Sequence, residues 1–471
     1  MNNTVLIPFL KNPVFWTGLF HVASILGFIL GVILITQILR NPRKPSATIG
    51  WLLIIVLVPL VGIPLYLIFG GRKFIKLKKN KGVMLLPELN KTNQHALNTL
   101  LVSLGLPAAS ENNLIHFHQN GKHAWQELIS LLRRAKQSVD IAIFILAKDK
   151  VGDKIIALLE QKASQGVTIK ILLDGVGSLS LPKNKLTHLI KLGAKVAWFN
   201  PVLHLPFHTR TNLRNHRKMI IIDKKIVWTG GRNLAEEYLG EHCPKECWID
   251  LSFTQQGSIV NIYQAIFDAD WNFSNHDNSE VKLITKQQGS EGDSLIQIIP
   301  SGPDVTDDPI YVAVLSACYS AKNKISIVTP YFVPNSGIQE ALKLAALRGV
   351  EVNLILPEKS NHRLADIARN RYLRELTSAG TKVWLISDKM VHAKAIVFDD
   401  DFAMAGSANL DNRSLFLNCE IMNGFYSQAD ISWLSRWLDD LKNQSSAYQP
   451  TPIGAVGELI EGIVLLGAYQ L

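Results

Sequence analysis

Cysteine is rare in this sequence, with four residues in 471: Cys243, Cys247, Cys318 and Cys419. Four cysteines at irregular spacings are too few for the disulfide framework of a small secreted domain. The C-x3-C pair at Cys243 and Cys247 has no second ligand pair at metal-site spacing. We therefore expect ordinary loop thiols rather than a zinc or redox centre, and a reducing compartment.

Acidic side chains are also in short supply. Asp and Glu number 39 against 49 Lys and Arg, which gives a formal net charge of +10 and a pI near 9.2. A basic balance of this size favours an anionic partner, either nucleic acid or anionic lipid. Charge by itself does not distinguish the two.

Charged residues are absent from two long apolar stretches near the N-terminus, residues 14–39 and 47–69. Each exceeds the roughly 20 residues that cross a bilayer core, so we expect a two-helix transmembrane hairpin within residues 1–80. A cleaved signal peptide would have a shorter apolar region and no second stretch close behind it. A buried hairpin in a soluble protein is the remaining alternative. Membrane attachment favours a lipid over a nucleic acid as the anionic partner.

The basic residues around these stretches predict an orientation. Residues 40–46 carry three Lys or Arg, and residues 72–81 carry six. By the positive-inside rule, the N-terminus and everything after the second stretch are expected in the cytoplasm. The six-residue cluster either marks topology alone or also contacts anionic headgroups.

One chemical pattern occurs twice. In both copies a His is followed two positions on by Lys, seven on by Asp and seventeen on by Asn. The residues are His216, Lys218, Asp223 and Asn233 in the first copy, and His392, Lys394, Asp399 and Asn409 in the second. Positions i and i+2 of a strand share a face, so each imidazole and its lysine are expected to point into one pocket. A lone His-x-Lys is usually structural, but two matched copies predict a single site built from both.

The sequence around the two motifs is itself duplicated. Strand and helix patterns alternate in the same order on both sides, and Q-G-V-T-I-K-I-L-L resembles R-G-V-E-V-N-L-I-L. This predicts an α/β fold of two tandem repeats, residues 114–290 and 291–471, after a linker at 81–113. The expected strands are 139–146, 167–174 and 195–199, then 324–329, 350–356 and 382–386; the expected helices are 153–165 and 185–192, then 338–348 and 363–379.

Five further segments are distinctive: P-S-A-T-I-G-W-L-L at 45–53, G-I-P-L-Y-L-I-F-G-G-R-K at 62–73, N-L-R-N-H-R-K at 212–218, T-P-Y-F-V-P at 329–334 and G-S-A-N-L-D-N-R-S at 406–414. With the paired motifs, they make the chain resemble the phospholipase D superfamily and, more narrowly, the bacterial cardiolipin synthases. The resemblance implies that the two repeats, each with a mixed sheet, pack as a pseudo-twofold unit. It also implies a bacterial cell membrane enzyme that needs no cofactor and no metal.

The chemistry of phosphodiester transfer fits the duplicated residues. Metal-free transfer needs a nucleophile, an acid for the leaving alkoxide, and donors for the phosphoryl oxygens. Two imidazoles would supply the first two functions, and Lys218, Lys394, Asn233 and Asn409 would hold the oxygens. The pattern leaves open which His is the nucleophile; the resemblance favours His216, with His392 as acid and base.

The resemblance also implies further residues around the two histidines. Asp250 and Glu420, at 34 and 28 positions after the two histidines, match the acidic positions the family uses to orient them, one in each repeat. Ser407 is expected to add a phosphate contact. Asp223 and Asp399 belong to the catalytic motifs, but their turn positions favour a structural role.

The resemblance implies a phosphatidyltransferase that converts two phosphatidylglycerol molecules to cardiolipin and glycerol at the bilayer. A phospholipid hydrolase is the nearest alternative, since only the group that resolves the intermediate differs. A nuclease would suit the basic charge, but the two apolar stretches oppose a nucleic acid partner. A catalytically dead lipid-binding scaffold is disfavoured because both motifs are complete.

Overall fold

The computed structural model describes residues 13–40, 45–70, 83–84, 95–201, 212–241, 247–277, 279, 281–282, 292–305 and 307–467. The chain divides into two compact units, one of Met1–Arg72 with Leu203–Asn212 and one of Lys73–Val202 with Leu213–Leu471.

Three helices make up the described part of the N-terminal segment: α1 (Pro13–Arg40), α2 (Pro45–Leu57) and α3 (Pro59–Phe69). Residues 16–40 of α1 are long and apolar enough to cross a membrane, and this is the one such helix in the described ranges. The second predicted stretch is two shorter helices of 13 and 11 residues, separated at Val58. Pro59 explains the break, because its ring clashes with the preceding turn and it has no N–H to donate. The second predicted stretch is therefore not one continuous helix.

The larger unit contains fifteen strands hydrogen-bonded in one order, β19-β14-β13-β11-β15-β16-β18-β10-β2-β8-β7-β6-β3-β4-β5. Two short pairs, β1 with β9 and β12 with β17, lie outside it. The strands are β1 (Val83–Met84), β2 (Ser110–His118), β3 (Ser138–Ile143), β4 (Thr168–Asp174), β5 (Lys195–Phe199), β6 (Met219–Ile222), β7 (Ile226–Gly230), β8 (Ser252–Gln256), β9 (Val281–Lys282), β10 (Ser294–Ser301), β11 (Lys324–Val328), β12 (Phe332–Val333), β13 (Glu351–Pro357), β14 (Lys382–Ile386), β15 (Ala395–Phe398), β16 (Phe402–Gly406), β17 (Leu410–Asp411), β18 (Glu420–Phe425) and β19 (Ser446–Ala447).

Helices connect and cover these strands. The helices of this unit are α4 (Ala96–Ser103), α5 (Gly121–Arg134), α6 (Lys150–Ser164), α7 (Thr187–Lys191), α8 (Ile259–Ser274), α9 (Pro309–Ser320), α10 (Ser336–Leu347), α11 (Arg363–Ser378), α12 (Asn412–Phe416), α13 (Gln428–Asn443) and α14 (Ala455–Leu466), with a 3₁₀ turn at Lys183–Leu186.

The duplication predicted from the sequence is visible in the strand pairing. In the first half β3, β4 and β5 are parallel neighbours, and β6 and β7 follow antiparallel; β11, β13, β14, β15 and β16 repeat this in the second half. The halves join where β2 pairs with β10. The predicted mixed α/β fold is confirmed, and the strands and helices expected from the sequence are present with small shifts at their ends.

The two halves also share one apolar core. Phe117 and Phe253 of the first half contact Phe425 of the second, with ring centroids 5.6 to 5.8 Å apart. All three are buried in a cluster that draws on strands of both halves. Since burial of each such side chain contributes about 1.5–3 kcal/mol, this core holds the halves together.

Two expectations need correction. The predicted linker at 81–113 contains α4 and the start of β2, and Leu97 and Leu101 of α4 are buried in the core of the second half. Their four-residue spacing places both on one helix face, a signal too short to stand out in a polar surrounding. Cys247 is disulfide-bonded, whereas Cys318 and Cys419 are buried free thiols. The expectation of an ordinary thiol is therefore wrong for Cys247.

Candidate active site

Backbone pairing places each motif against a segment of the other half. The N–H of His216 donates to the carbonyl of Cys419 at 2.9 Å, and the N–H of His392 donates to the carbonyl of Ile249 at 2.7 Å. Asn215 bridges Cys419, and Val391 bridges Ile249, in the parallel sense. The residue after each acceptor is an acid, Glu420 in one case and Asp250 in the other. The backbone pairing thus places each imidazole next to a carboxylate of the other repeat.

The carboxylates contact the histidines crosswise. Nδ1 of His216 lies 2.9 Å from Oε1 of Glu420, and Nδ1 of His392 lies 2.7 Å from Oδ2 of Asp250. Because an ionised carboxylate only accepts, Nδ1 carries the proton, and Nε2 is left with the lone pair. The expectation that each acid orients the histidine of its own repeat is wrong. The local chain positions are equivalent, but the two halves interlock, so the partners are exchanged.

One position differs between the halves beside these carboxylates. Ser407 donates from Oγ to Oε2 of Glu420 at 2.5 Å and accepts from the N–H of Ile421 at 3.0 Å. Its equivalent, Gly231, has no room for a side chain, since a Cβ would lie 2.2 Å from Oδ1 of Asp250. The fully buried Ser407 hydroxyl is directed at Glu420. The structure therefore gives Ser407 a part in holding Glu420, and a phosphate contact from Ser407 remains a prediction.

The two lysines lie beside their histidines, as the spacing predicts. Nζ of Lys218 donates to the carbonyl of His216 at 2.9 Å. Nζ of Lys394 contacts the carbonyl of His392. Burial lowers the pKa of Lys218 to about 7 and that of Lys394 to about 8, although Glu420 and Asp250 oppose the shift. Both ammonium groups thus lack a solvent shell, which strengthens their attraction for an incoming anion.

Both imidazoles are buried and favour the neutral form. Burial lowers the pKa of His216 to about 4, with Glu420 opposing and Lys218 and Lys394 adding to the shift. Burial also lowers the pKa of His392 to about 3, helped by Lys394 and Lys218 and opposed by Asp250. Each histidine is thus affected by the lysines of both repeats, as expected for a single shared site.

The carboxylates themselves stay ionised. Burial opposes ionisation of Glu420, but the adjacent His216 and Lys218 outweigh it and hold its pKa below the usual value. Lys394 and His392 do the same for the buried Asp250. A charged, buried acceptor fixes the ring orientation of a catalytic imidazole and stabilises its protonated form.

The two asparagines are held by different neighbours. Oδ1 of Asn233 accepts from the N–H of Ile145 at 3.3 Å, and Asn233 also hydrogen-bonds Tyr238. Asn409 hydrogen-bonds the carboxylate of Asp411, whose pKa is raised by burial to about 6. Both asparagines are almost fully buried in the same unit as the histidines. Their amide groups are therefore positioned, and a role in binding phosphate remains a prediction.

The two motif aspartates lie away from the imidazoles, at the far ends of β6 and β15. Asp223 accepts from the N–H groups of Lys136, Gln137 and Ser138 at 2.6–3.1 Å. Asp399 makes the same three-bond arrangement with residues 322–324 at 2.7–2.8 Å. Each has a positive φ, 51° and 50°, the conformation that Asp tolerates better than most residues. The geometry supports the structural interpretation and gives neither aspartate a place at the reacting groups.

Aromatic rings line the site. The rings of Tyr238, Trp248 and Tyr331 lie 5.0, 5.6 and 6.4 Å from that of His392. Phe144 lies 4.8 Å from the ring of His216. The T-P-Y-F-V-P segment contains Tyr331, and Tyr238 follows the first motif closely, so the sequence held a signal for both. Phe144 and Trp248 carried none, because only folding brings them to the site.

A buried ion-pair network inside the first motif was also missed. Arg217 lies between His216 and Lys218, and its guanidinium contacts Asp270 at 2.7 Å and Asp304 at 3.2 Å. Asp270 and Asp304 lie on opposite sides of the junction between the repeats. Despite burial, the two carboxylates raise the pKa of Arg217. Arg217 therefore ties the first motif to the second repeat.

Comparison with known families agrees with this geometry. The family model described as cardiolipin synthase, PLD-like domain, matches residues 128–271 and 314–442, more than half of the chain. The chain belongs to this family. A second model, described as phospholipase D-nuclease N-terminal, matches residues 22–71.

Individual members of the cardiolipin synthase family align over nearly the whole chain. The major cardiolipin synthase of Bacillus subtilis is 33% identical over 442 residues, covering 88% of this chain and 92% of its own length. The cardiolipin synthase of Alkalihalophilus pseudofirmus is 33% identical over 440 residues, covering 89% and 87%. The resemblance drawn from the sequence motifs is thereby confirmed.

A solved structure supports the fold. The phosphatidylserine synthase of Haemophilus influenzae matches with a TM-score of 0.63 at 15% identity, covering 79% of this chain and 100% of its own. At this identity the likeness concerns the arrangement of strands and helices alone.

Proposed function

We propose that this protein is a membrane phosphatidyltransferase that converts two molecules of phosphatidylglycerol into cardiolipin and glycerol. The observation that carries the proposal is the crossed pair His216–Glu420 and His392–Asp250, two oriented imidazoles in one buried site. Membership of the cardiolipin synthase family supports the choice of lipid.

His216 is proposed as the nucleophile. Its Nε2 attacks the phosphorus of the first phosphatidylglycerol, a P–N bond forms, and the P–O bond to the terminal glycerol breaks. The pKa of His216, lowered by burial to about 4, keeps this nitrogen unprotonated at neutral pH. Lys218, Lys394, Asn233 and Asn409 hold the phosphoryl oxygens, whose charge persists through the transition state.

His392 is proposed as the acid and base. Its imidazolium protonates the departing glycerol oxygen, and the neutral ring then takes the proton from the terminal hydroxyl of the second phosphatidylglycerol. That alkoxide attacks phosphorus, the P–N bond breaks, and cardiolipin forms. The anionic phosphodiester supplies the negative charge that raises the pKa of His392 from about 3 in the free enzyme.

Transfer to a lipid alcohol is favoured over hydrolysis by the burial of the two histidines. His216 and His392 are only 8% and 5% exposed, and aromatic rings flank both. Exclusion of water protects a phosphohistidine from hydrolysis until the second lipid arrives.

The decisive assay gives phosphatidylglycerol to the purified full-length protein in mixed micelles with a chelator present. Cardiolipin and glycerol are expected in equal amounts, and phosphatidic acid as the main product would reassign the protein as a hydrolase. Loss of activity with chelator would contradict the metal-free scheme.

We predict that His216→Ala and His392→Ala each lower turnover by about 10³-fold or more, since each removes a group that acts at the reacting phosphorus. His123→Ala, which changes an exposed histidine, is the matched control and should leave turnover unchanged. Phosphate-labelled substrate and rapid quenching are expected to leave label on His216; label on His392 would exchange the two roles.

We also propose that the N-terminal segment anchors the protein in the bacterial cell membrane with two spans and that both termini are cytoplasmic. The span at Trp16–Arg40 and the basic residues at 72–81 support this. Protease protection of terminal tags in sealed cells provides the test: tags cleaved from the outside would overturn the orientation.

A further inference from the structure

The last helix of the described chain exposes a continuous apolar stripe. Val456, Leu459, Ile460, Ile463 and Leu466 of α14 are 48–87% exposed. Leu459 and Ile460 are adjacent and the other successive members are three residues apart, which places all five on one face of the helix. A water-facing helix would carry polar side chains there, so this α14 stripe is the mark of a surface that contacts something apolar.

The opposite face of α14 is fixed to the catalytic unit. The buried carboxylate of Glu461 accepts two hydrogen bonds from Arg374 of α11, at 3.0 and 2.5 Å. Val464 and Leu465 pack against a buried cluster of Val333, Ala365 and Ala368. The helix is therefore held in one orientation, with the α14 stripe directed away from the protein.

This attachment point adjoins the proposed active site. Tyr331 packs against the same cluster, and its ring centroid lies 6.4 Å from that of His392. On its other side it lies 6.1 Å from the ring of His362, just before α11. One small cluster thus contacts both α14 and a tyrosine that lies next to the ring of His392.

The neighbouring surface suits a membrane interface. Lys359, His362, Arg363 and Leu364 are exposed where α11 begins, and Leu364 is 50% exposed. Exposed cations beside apolar side chains are typical of helices that lie in the headgroup region. Glu461 adds no free negative charge, because Arg374 neutralises it.

We propose that α14 is an interfacial helix whose stripe inserts into the lipid bilayer. This insertion places the His392 side of the active site at the membrane surface. The inference rests on the proposed function to the extent that a lipid substrate must pass from the bilayer to His392. The occupant of the α14 stripe is the bilayer itself, rather than a second copy of the chain.

The first test detects contact and does not depend on activity. The full-length protein, with p-benzoylphenylalanine in place of Ile460, is reconstituted in vesicles of phosphatidylglycerol and phosphatidylcholine and irradiated. Cross-links to lipid are expected. The same probe in place of Leu347 is the control: Leu347 is 67% exposed but ends α10, beside the start of β13 and away from the site. Absence of lipid cross-links at 460, or cross-links to a second copy, would overturn the proposal.

The second test separates docking from chemistry. Leu459→Gln/Ile463→Gln is expected to lower activity on phosphatidylglycerol vesicles by about tenfold or more, since two inserted side chains become polar. Activity on a short-chain phosphatidylglycerol below its critical micelle concentration should stay unchanged. Leu347→Gln should change neither activity.

Each other result has a distinct meaning. Equal loss on both substrates would make the α14 stripe structural, and full activity on vesicles would show that it is not used for docking; either result overturns the proposal. If the wild-type protein makes no cardiolipin from either substrate, the proposed function fails, and the cross-links still decide whether α14 contacts lipid.

Discussion

At the scale of single residues, the two halves of the site differ in how the orienting carboxylate is held. Glu420 is longer by one carbon and accepts from Ser407, whereas Asp250 is shorter and occupies the space left by Gly231. Oδ1 of Asp250 also accepts from its own following N–H, that of Leu251, at 2.7 Å. At equivalent positions, serine therefore supplies a hydrogen bond to Glu420, and glycine leaves the space that Asp250 occupies.

This pairing predicts unequal effects of alanine at the two positions. Gly231→Ala should lower kcat by about 10² to 10⁴-fold, the range for disturbing the carboxylate that orients a catalytic imidazole, because its Cβ displaces Asp250 from His392. Ser407→Ala removes one hydrogen bond and leaves Glu420 in contact with His216, so a loss of about tenfold or less is expected. Steady-state kinetics on both purified variants provide the measurement. A Gly231→Ala enzyme as active as Ser407→Ala would contradict the steric argument.

At the scale of elements, each of the strands β6 and β15 has the reacting residues of its motif at one end and a structural aspartate at the other. β6 and β15 begin beside the lysines and end at Asp223 and Asp399, whose carboxylates collect the N–H groups that start β3 and β11. These bonds keep adjacent strands in register. The histidines His216 and His392 lie at the other end of the same strands. The shared sequence motif thus contains a histidine that reacts and an aspartate that holds the neighbouring strand.

Asp223→Asn and Asp399→Asn should therefore affect stability more than chemistry. Each exchange weakens three charge-assisted bonds to backbone N–H groups, for which we expect a loss of about 1–3 kcal/mol in the free energy of unfolding. The kcat of the folded enzyme should change by less than about threefold. Thermal unfolding and kcat are measured on the same preparations, with Asp388→Asn as a surface control. Loss of kcat without loss of stability would restore a catalytic role for these aspartates.

At the scale of the whole molecule, burial of both histidines couples folding to pH. The pKa values of His216 and His392, about 4 and about 3, lie below 6.5, the usual value for an unfolded chain. Between the lowered and the usual values the unfolded state binds more protons, so the folded state loses stability as pH falls.

We predict that lowering the pH from 7 to 5 destabilises the protein by on the order of 2 kcal/mol for each histidine. His216→Gln/His392→Gln cannot take up these protons, so its stability should vary less over the same interval. Chemical unfolding in detergent at several pH values measures both slopes. Equal slopes for the wild type and the double variant would show that other groups cause the acid sensitivity.

Much of this molecule was predictable because its signals are local. The duplicated His-x-Lys motifs, the alternating strand and helix patterns, and the family resemblance all lie in short stretches, and helices end at glycines such as Gly166 and Gly349, whose φ angles are +85° and +90°. The length and apolar character of α1 follow from composition alone. Pro59 also predicts a break in the second apolar stretch, but the prediction of one helix there relied on hydropathy.

The sequence by itself determined which residues are available for the chemistry, because an imidazole, a lysine and an amide at fixed spacing are properties of the chain. Only the tertiary structure decided their partners. His216 meets Glu420 and His392 meets Asp250 because backbone hydrogen bonds join segments about 200 and 140 residues apart. Such long-range pairing depends on how the two halves pack, which no local pattern records. The same packing buried Ser407 against Glu420 and left the apolar face of α14 exposed.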